Sequence, residues 1–294
     1  MNAYRGCFHG CSYCYARPNH QYLDFGAGTD FERRIVVKVN APALLRAAFE
    51  RRSWKGARLA FSGSTDCYQP LEANYEITRR MLEICLEYRN PVGIITKSAL
   101  VRRDAALLAQ LSCAADARVF VSIPFCDDAM ARAVEPHAPS PRARFAAISA
   151  LSDAGVRVGV GLAPIIPGLN EEQIPEILSR AVAAGARDYF TMLLRLPRET
   201  GPVFWTRLRE AFPDRAGKVE SALRDVGAGN PAFFARMAGR GPRWEAIADL
   251  IRTHARRLGL ATSPPGPGSG APATFRRPTP QLDLFPDAHE KRDR

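Results

Sequence analysis

Long apolar runs are missing from this chain of 294 residues. None approaches the ~20 residues that a membrane-spanning helix needs, which excludes a helical membrane protein. No basic-then-apolar leader opens the sequence, so a cytoplasmic location is expected. Cysteine is sparse and odd in number, at seven. Cys67, Cys85, Cys113 and Cys126 are scattered through apolar segments instead of being spaced as a framework. That argues against a disulfide scaffold and reads as small buried hydrophobes in a reducing compartment. No internal repeat is present. Acidic residues are in deficit, 30 against 41 Lys and Arg, giving a net charge of +11. The imbalance favours a polyanionic partner through phosphate neutralisation, or else a solvated arginine-rich surface.

The informative feature that is present is Cys7, Cys11 and Cys14, a Cys-x3-Cys-x2-Cys triplet ending in Tyr13-Cys14-Tyr15. Three thiolates on one short loop do not fill a four-cornered metal site. Iron–sulfur cubanes take one cysteine per iron, so three ligands leave one iron open. An open coordination position marks a site that binds something. The competing reading is structural zinc held by the same three cysteines and His9. It is cramped, and no second Cys-x2-Cys pair assists it.

Between residues 40 and 197 helices alternate with short apolar strands. Asn40 and Pro42 open a helix carrying Leu44, Leu45 and Phe49. Strands are expected at Arg58–Ser62, Val92–Lys97, Val119–Ile123, Arg157–Ile166 and Tyr189–Leu196. Helices are expected at Glu72–Tyr88, after an Asp104 cap, from Ser140-Pro141 to Gly155, and at Asn170–Ala184. This alternation argues for a parallel sheet with right-handed crossovers. Phe204–Phe212 and Arg243–Leu258 read as further helices joined by a glycine-rich stretch. From Ala261 the chain is Ser, Pro, Gly and charge, and is expected to be disordered. The organisation is therefore a barrel at 1–197, a helical extension at 198–260 and a tail at 261–294.

The triplet resembles the cluster loop of the radical S-adenosylmethionine (SAM) superfamily. That resemblance implies an α/β fold, a partial (β/α)6 barrel, with a [4Fe–4S] cluster on Cys7, Cys11 and Cys14 and SAM chelating the fourth iron. It also implies an electron donor such as flavodoxin or ferredoxin. Only six residues precede Cys7, so the first strand is largely missing, with Asn2–Gly6 read as its end. The expectation is that the natural start lies upstream or that the chain is a fragment, leaving one barrel edge exposed.

Active sites of such barrels lie at the carboxyl ends of the strands. By the resemblance, Tyr13 sits beside the adenine. Ser62, with Ser64, Thr65 and Asp66, stands where relatives carry a Gly-Gly-Glu for the SAM amino group. Lys97 suits the SAM carboxylate, Ser122 the ribose or carboxylate, and Arg144 a further SAM contact beside Glu135. Ile166 belongs to a segment similar to the family's adenine-supporting motif, with Pro164 in place of its first glycine. Arg195 faces the substrate. Cys67 is either a hydrogen-atom donor or a buried thiol.

Four segments, Tyr4-Arg5-Gly6-Cys7, Cys14-Tyr15-Ala16-Arg17-Pro18, Thr65-Asp66-Cys67-Tyr68-Gln69-Pro70 and Leu194-Arg195-Leu196-Pro197, resemble the spore photoproduct lyase-like branch. The branch implies action on nucleic acid, with damaged DNA as the leading substrate and lyase-type repair as the reaction. The tail peptide Gln281-Leu282-Asp283-Leu284-Phe285 resembles the short segments that bind the bacterial sliding clamp. Radical modification of tRNA or a peptide is the alternative. A non-enzymatic iron–sulfur protein that binds nucleic acid or senses redox state is the second.

Overall fold

The five apolar segments read as strands all form, and they pair in parallel in chain order. The computed structural model describes residues 1–197, 199–227, 239–262 and 274–278. The chain opens with β1 (Tyr4–Arg5), α1 (Thr29–Arg33), β2 (Val36–Val37) and α2 (Ala41–Glu50). The barrel follows as β3 (Leu59–Phe61), α3 (Glu72–Tyr75), α4 (Ile77–Glu87), β4 (Val92–Thr96), α5 (Ala105–Ala114) and β5 (Ala117–Ser122). It continues through α6 (Asp128–Val134), α7 (Pro141–Asp153), β6 (Arg157–Ile165), α8 (Ile174–Ala183) and β7 (Asp188–Leu193). Then come α9 (Thr200–Ala211), α10 (Pro213–Asp225), α11 (Pro242–Arg257) and β8 (Ala261–Thr262).

The result is the expected α/β partial barrel, a six-stranded sheet ordered β3-β4-β5-β6-β7-β8. Its sixth strand is not the one the sequence led us to expect. β8 pairs with β7 through Asp188 and Tyr189 at the far edge. At the near edge Met1 lies beside β3, its carbonyl accepting from Ser62 N at 3.2 Å. Asn2–Gly6 is not a strand end of this sheet. Tyr4–Arg5 pairs antiparallel with Val36–Val37 instead.

Local chemistry explains the other departures. The helix expected over Glu72–Tyr88 breaks at Glu76, which takes a left-handed φ of 49°. Buried Glu72 turns back and accepts from Thr78 N at 3.0 Å and Arg79 N at 3.1 Å, capping α4 itself. Asp104 does not cap α5 with its side chain. Its carboxylate accepts from Tyr68 Oη at 3.1 Å and from Arg79 at 2.6 Å. Ser140 does cap α7, accepting from Ala143 N at 3.3 Å, and Gly155 follows with φ of 81°. α10 was missed by the sequence reading, although Pro213 starts it and Ala216, Val219, Ala222 and Leu223 line its buried face. Among the described residues no helix is long and apolar enough to cross a membrane.

The tail expectation fails at two places. Besides β8, Thr274–Pro278 is anchored to the barrel. Phe275 packs edge-on to Phe49 at 5.6 Å and stacks on Tyr88 at 6.2 Å. Arg277 donates to Phe49 O at 3.0 Å and Arg51 O at 2.6 Å at the end of α2. Gly56, at φ 77°, permits this approach, since a Cβ there would lie 2.4 Å from Phe275 Cβ. The clamp-like peptide at 281–285 lies outside the described residues.

Glycines also shape the barrel interior. A Cβ on Gly159 would lie 2.5 Å from the Phe120 ring, and one on Gly161 2.7 Å from Phe190. The bare backbone of β6 thus lets two aromatic rings, 5.2 Å apart and edge-to-face, fill the barrel floor.

Candidate active site

A cavity of about 430 Å³ opens at the carboxyl ends of the strands. One wall is the cluster loop, with Cys7, His9, Cys11, Tyr13, Cys14 and Tyr15. A second wall is the β3 exit loop, from Ser62 to Asp66, with Thr96 and Lys97 after β4. Apolar side chains on β7 and its exit, Phe190, Met192, Leu193 and Leu194, close the opposite side beside Ser122, Pro164 and Arg195.

The cluster loop is held by its backbone. Cys7 N donates to Phe31 O at 2.9 Å, and Ser12 N donates to Val134 O at 2.8 Å. Gly6, at φ 83°, must be glycine here because a Cβ would meet Phe31 O at 2.9 Å. Arg17 is fully buried and grips the loop from behind. Its guanidinium donates to Cys11 O and Gly10 O, both at 2.9 Å, and pairs with Glu32 at 2.6 Å. Arg207 of α9 adds a bond to Gly10 O at 2.6 Å, and Thr200 Oγ1 donates to Cys14 O at 3.1 Å. The helical extension therefore clamps the loop. Sequence reasoning missed Arg17, Glu32 and Arg207, because buried carbonyl-binding arginines carry no spacing signal.

The donor set fits an iron–sulfur cluster with one open iron. Three thiols face one cavity. His9, which a zinc site would recruit, turns its Nδ1 to Asp66 Oδ2 at 3.5 Å instead. Among the described residues no three His, Cys, Asp or Glu side chains are grouped to hold a single metal ion. One thiolate per iron asks for a wider spread than that. Burial pushes the Cys11 thiol up to about 12, with Glu135 adding to the effect. Burial likewise raises Cys7 and Cys14. A metal bound at these positions would displace their protons.

Several other residues named from the sequence meet here. Tyr13, Ser62, Lys97 and Ser122 all line the cavity. The Tyr13 hydroxyl donates to Glu135, whose carboxylate also pairs with Arg144. Lys97 Nζ stands 3.8 Å from Glu135 Oε1 and 5.6 Å from the Tyr13 ring centre. Burial works against ionisation of Glu135, but Arg144 and Lys97 hold its carboxyl below the usual range.

Three residues stand elsewhere. Arg144 is not on the cavity. It lies behind Glu135, is 1% exposed, and donates to Ser122 O at 3.0 Å. Its effect on the site passes through Glu135 and Lys97. Ile166 is buried in the apolar cluster behind Tyr13, and its amide donates to Asn170 Oδ1 at 2.7 Å. Cys67 is 1% exposed in the main core and is absent from the lining, although Ser62, Ser64, Thr65 and Asp66 are there. Its amide donates to Ser62 Oγ at 3.0 Å. Asp66, considered for the SAM amino group, already accepts from several protein donors.

Known proteins place this geometry. The chain is 37% identical to Uncharacterized protein Rv2578c of Mycobacterium tuberculosis over 226 residues, 76% of this chain and 66% of that protein. It is 31% identical to Uncharacterized protein MJ0683 of Methanocaldococcus jannaschii over 169 residues, 58% of this chain and 61% of that protein. The match thus covers slightly less than two thirds of these relatives' length. Among solved structures, the fold is similar to spore photoproduct lyase complexed with dinucleoside spore photoproduct. That likeness has 17% identity and a TM-score of 0.57, covering 88% of this chain and 74% of that one. A mutant of the same lyase with bound AdoMet and dinucleoside spore photoproduct gives 16% identity and a TM-score of 0.58, covering 89% and 75%. The model of the Radical SAM superfamily matches residues 1–181. Because that match spans well over half of its length, the chain belongs to the radical SAM superfamily.

Proposed function

We propose that this protein is a radical SAM enzyme that cleaves SAM reductively and acts on nucleic acid, with damaged DNA as substrate in the manner of a photoproduct lyase. The observation that carries the reading is one cavity onto which both the three thiols and Lys97 open. Cys7, Cys11 and Cys14 hold the [4Fe–4S] cluster, and Lys97 receives the SAM carboxylate. When bound, the cluster supplies an electron that splits SAM into methionine and a 5′-deoxyadenosyl radical. The residues around it orient SAM and exclude water. Tyr13, its hydroxyl held by Glu135, lines the cavity with Lys97 over its ring. Phe190, Met192 and Leu194 supply an apolar wall on which a flat base can rest.

The nucleic-acid part rests on the net charge of +11 and on the lyase fold. The peptide at 281–285 supports a sliding-clamp partner. The anchor at Thr274–Pro278 precedes that peptide in the chain.

The test is anaerobic reconstitution with iron and sulfide, then SAM and dithionite, with 5′-deoxyadenosine measured by chromatography. Deoxyadenosine formation is expected, and ultraviolet-irradiated DNA should raise it. Cluster loading without SAM cleavage would favour a non-enzymatic iron–sulfur protein. Cleavage stimulated by tRNA and not by DNA would redirect the substrate.

A further inference from the structure

The loop leaving β3 does more than line the cavity. Gln69 is fully buried, and its side-chain amide brackets Cys7. Nε2 donates to Gly6 O at 3.2 Å, and Oε1 accepts from Phe8 N at 3.0 Å. Both backbone neighbours of the first cysteine are thus held by one side chain. Asp66 makes a second junction. Its Oδ1 accepts from Tyr68 N at 2.9 Å and Thr96 Oγ1 at 2.6 Å. Its Oδ2 accepts from Lys97 N at 2.7 Å and faces His9 Nδ1 at 3.5 Å. One carboxylate therefore touches the cluster loop, the β3 exit and the β4 exit together.

We infer that Gln69 and Asp66 are positioning residues that hold Cys7 in register with Lys97, and hence set the distance between the cluster and the SAM carboxylate. The inference deepens the function proposed above and depends on its assignment of Lys97. Such bonds matter because a metal ligand is only as well placed as the groups that orient it. A carboxylate with two oxygens and about four lone-pair sites can accept from donors on three loops, whereas a hydroxyl accepts from about two at most.

The test compares the full-length wild type with Asp66→Asn and Gln69→Leu. Three quantities are read: iron per chain after anaerobic reconstitution, the EPR spectrum of the reduced protein during a SAM titration, and amide exchange of residues 6–9 in the metal-free protein. Asp66→Asn keeps one acceptor oxygen but sets an NH2 against Lys97 N and His9. It should load iron as the wild type does and need roughly tenfold more SAM for the same spectral change, the cost of about one hydrogen bond to a charged group. Gln69→Leu keeps the volume and loses both bonds. Phe8 N should exchange faster, and the EPR spectrum without SAM should already differ from wild type. Thr96→Val removes one donor to Asp66, and the acceptor of Ser98 N, without changing the carboxylate, and should weaken SAM in the same direction if Asp66→Asn fails to fold.

Wild-type SAM affinity in both Asp66→Asn and Thr96→Val, or unchanged Phe8 exchange with an unchanged spectrum in Gln69→Leu, overturns the inference. A wild-type spectrum that ignores SAM sinks the proposed function instead. The exchange measurement, made without metal, still decides whether Gln69 holds Cys7.

Discussion

Replacing Lys97 by Ala should weaken SAM binding without dismantling the site. Lys97 shares Glu135 with Arg144, so two cations face one buried carboxylate. Arg144 makes the closer pair with Glu135, while Lys97 stands at 3.8 Å with its side chain 17% exposed toward the cavity. One cation of this trio is thus available to an anionic ligand. A hydrogen bond to a charged group contributes about 1.5–3 kcal/mol. At 1.4 kcal/mol per decade, Lys97→Ala should raise the SAM Kd by roughly tenfold to a hundredfold. Glu135 keeps Arg144 and the Tyr13 hydroxyl as partners, so the loss of Lys97 leaves no uncompensated buried charge. Thermal unfolding of the metal-free variant should therefore stay close to wild type. The assay is equilibrium dialysis of labelled SAM against the reconstituted protein at low and high salt, with iron counted on the same sample. The wild-type to variant ratio should shrink at high salt, because the lost contact is ionic. A Kd within twofold of wild type in a variant that holds its full iron complement would refute the reasoning.

Single Ala variants of Cys7, Cys11 and Cys14 should lose the cluster absorbance and deoxyadenosine formation together; a purified variant that retains four irons and cleaves SAM would discard the ligand set. Gly161→Ala should cost about 1–3 kcal/mol in urea unfolding, because its Cβ would sit 2.7 Å from the Phe190 ring, and Phe190→Leu in the same chain should recover part of that. Phe275→Ala should lower stability by about 1–2 kcal/mol, short of the value for a fully buried side chain, and an unchanged unfolding midpoint would mean that the anchor is not a stable contact. Glu135, held below its usual value of 4.5 by Arg144 and Lys97 against the cost of burial, should contribute stability that is complete above that pH and is lost as pH falls through its lower folded value. Glu135→Gln should flatten that acid limb in a urea series, and an unchanged pH profile would exclude the pair as its source.

The sequence by itself determined the parallel sheet, because short apolar runs alternating with amphipathic helices have few other ways to bury both faces. It also determined that Cys7, Cys11 and Cys14 share one loop, since three cysteines within eight residues need no long-range contact to come together. Both ends of α7 were legible for the same reason: Ser140 and Pro141 at its start and Gly155 after its end act within a turn of where they stand. The tertiary structure decided what depends on partners distant in the chain. Glu72 caps α4 only because it is buried beside Tyr4 and Arg103, which splits a helix that periodicity alone would run through. Arg144, Ile166 and Cys67 have the residue types of a site but are turned away from the cavity by packing. Arg17, Asp66 and Gln69 do the opposite. Nothing in the sequence marks Arg17 and Gln69, or Asp66 as a bridge, yet folding brings them against the cluster loop and the β4 exit. Their work is to satisfy buried backbone carbonyls and amides, and a lone sequence does not reveal which of those groups the fold will leave without partners.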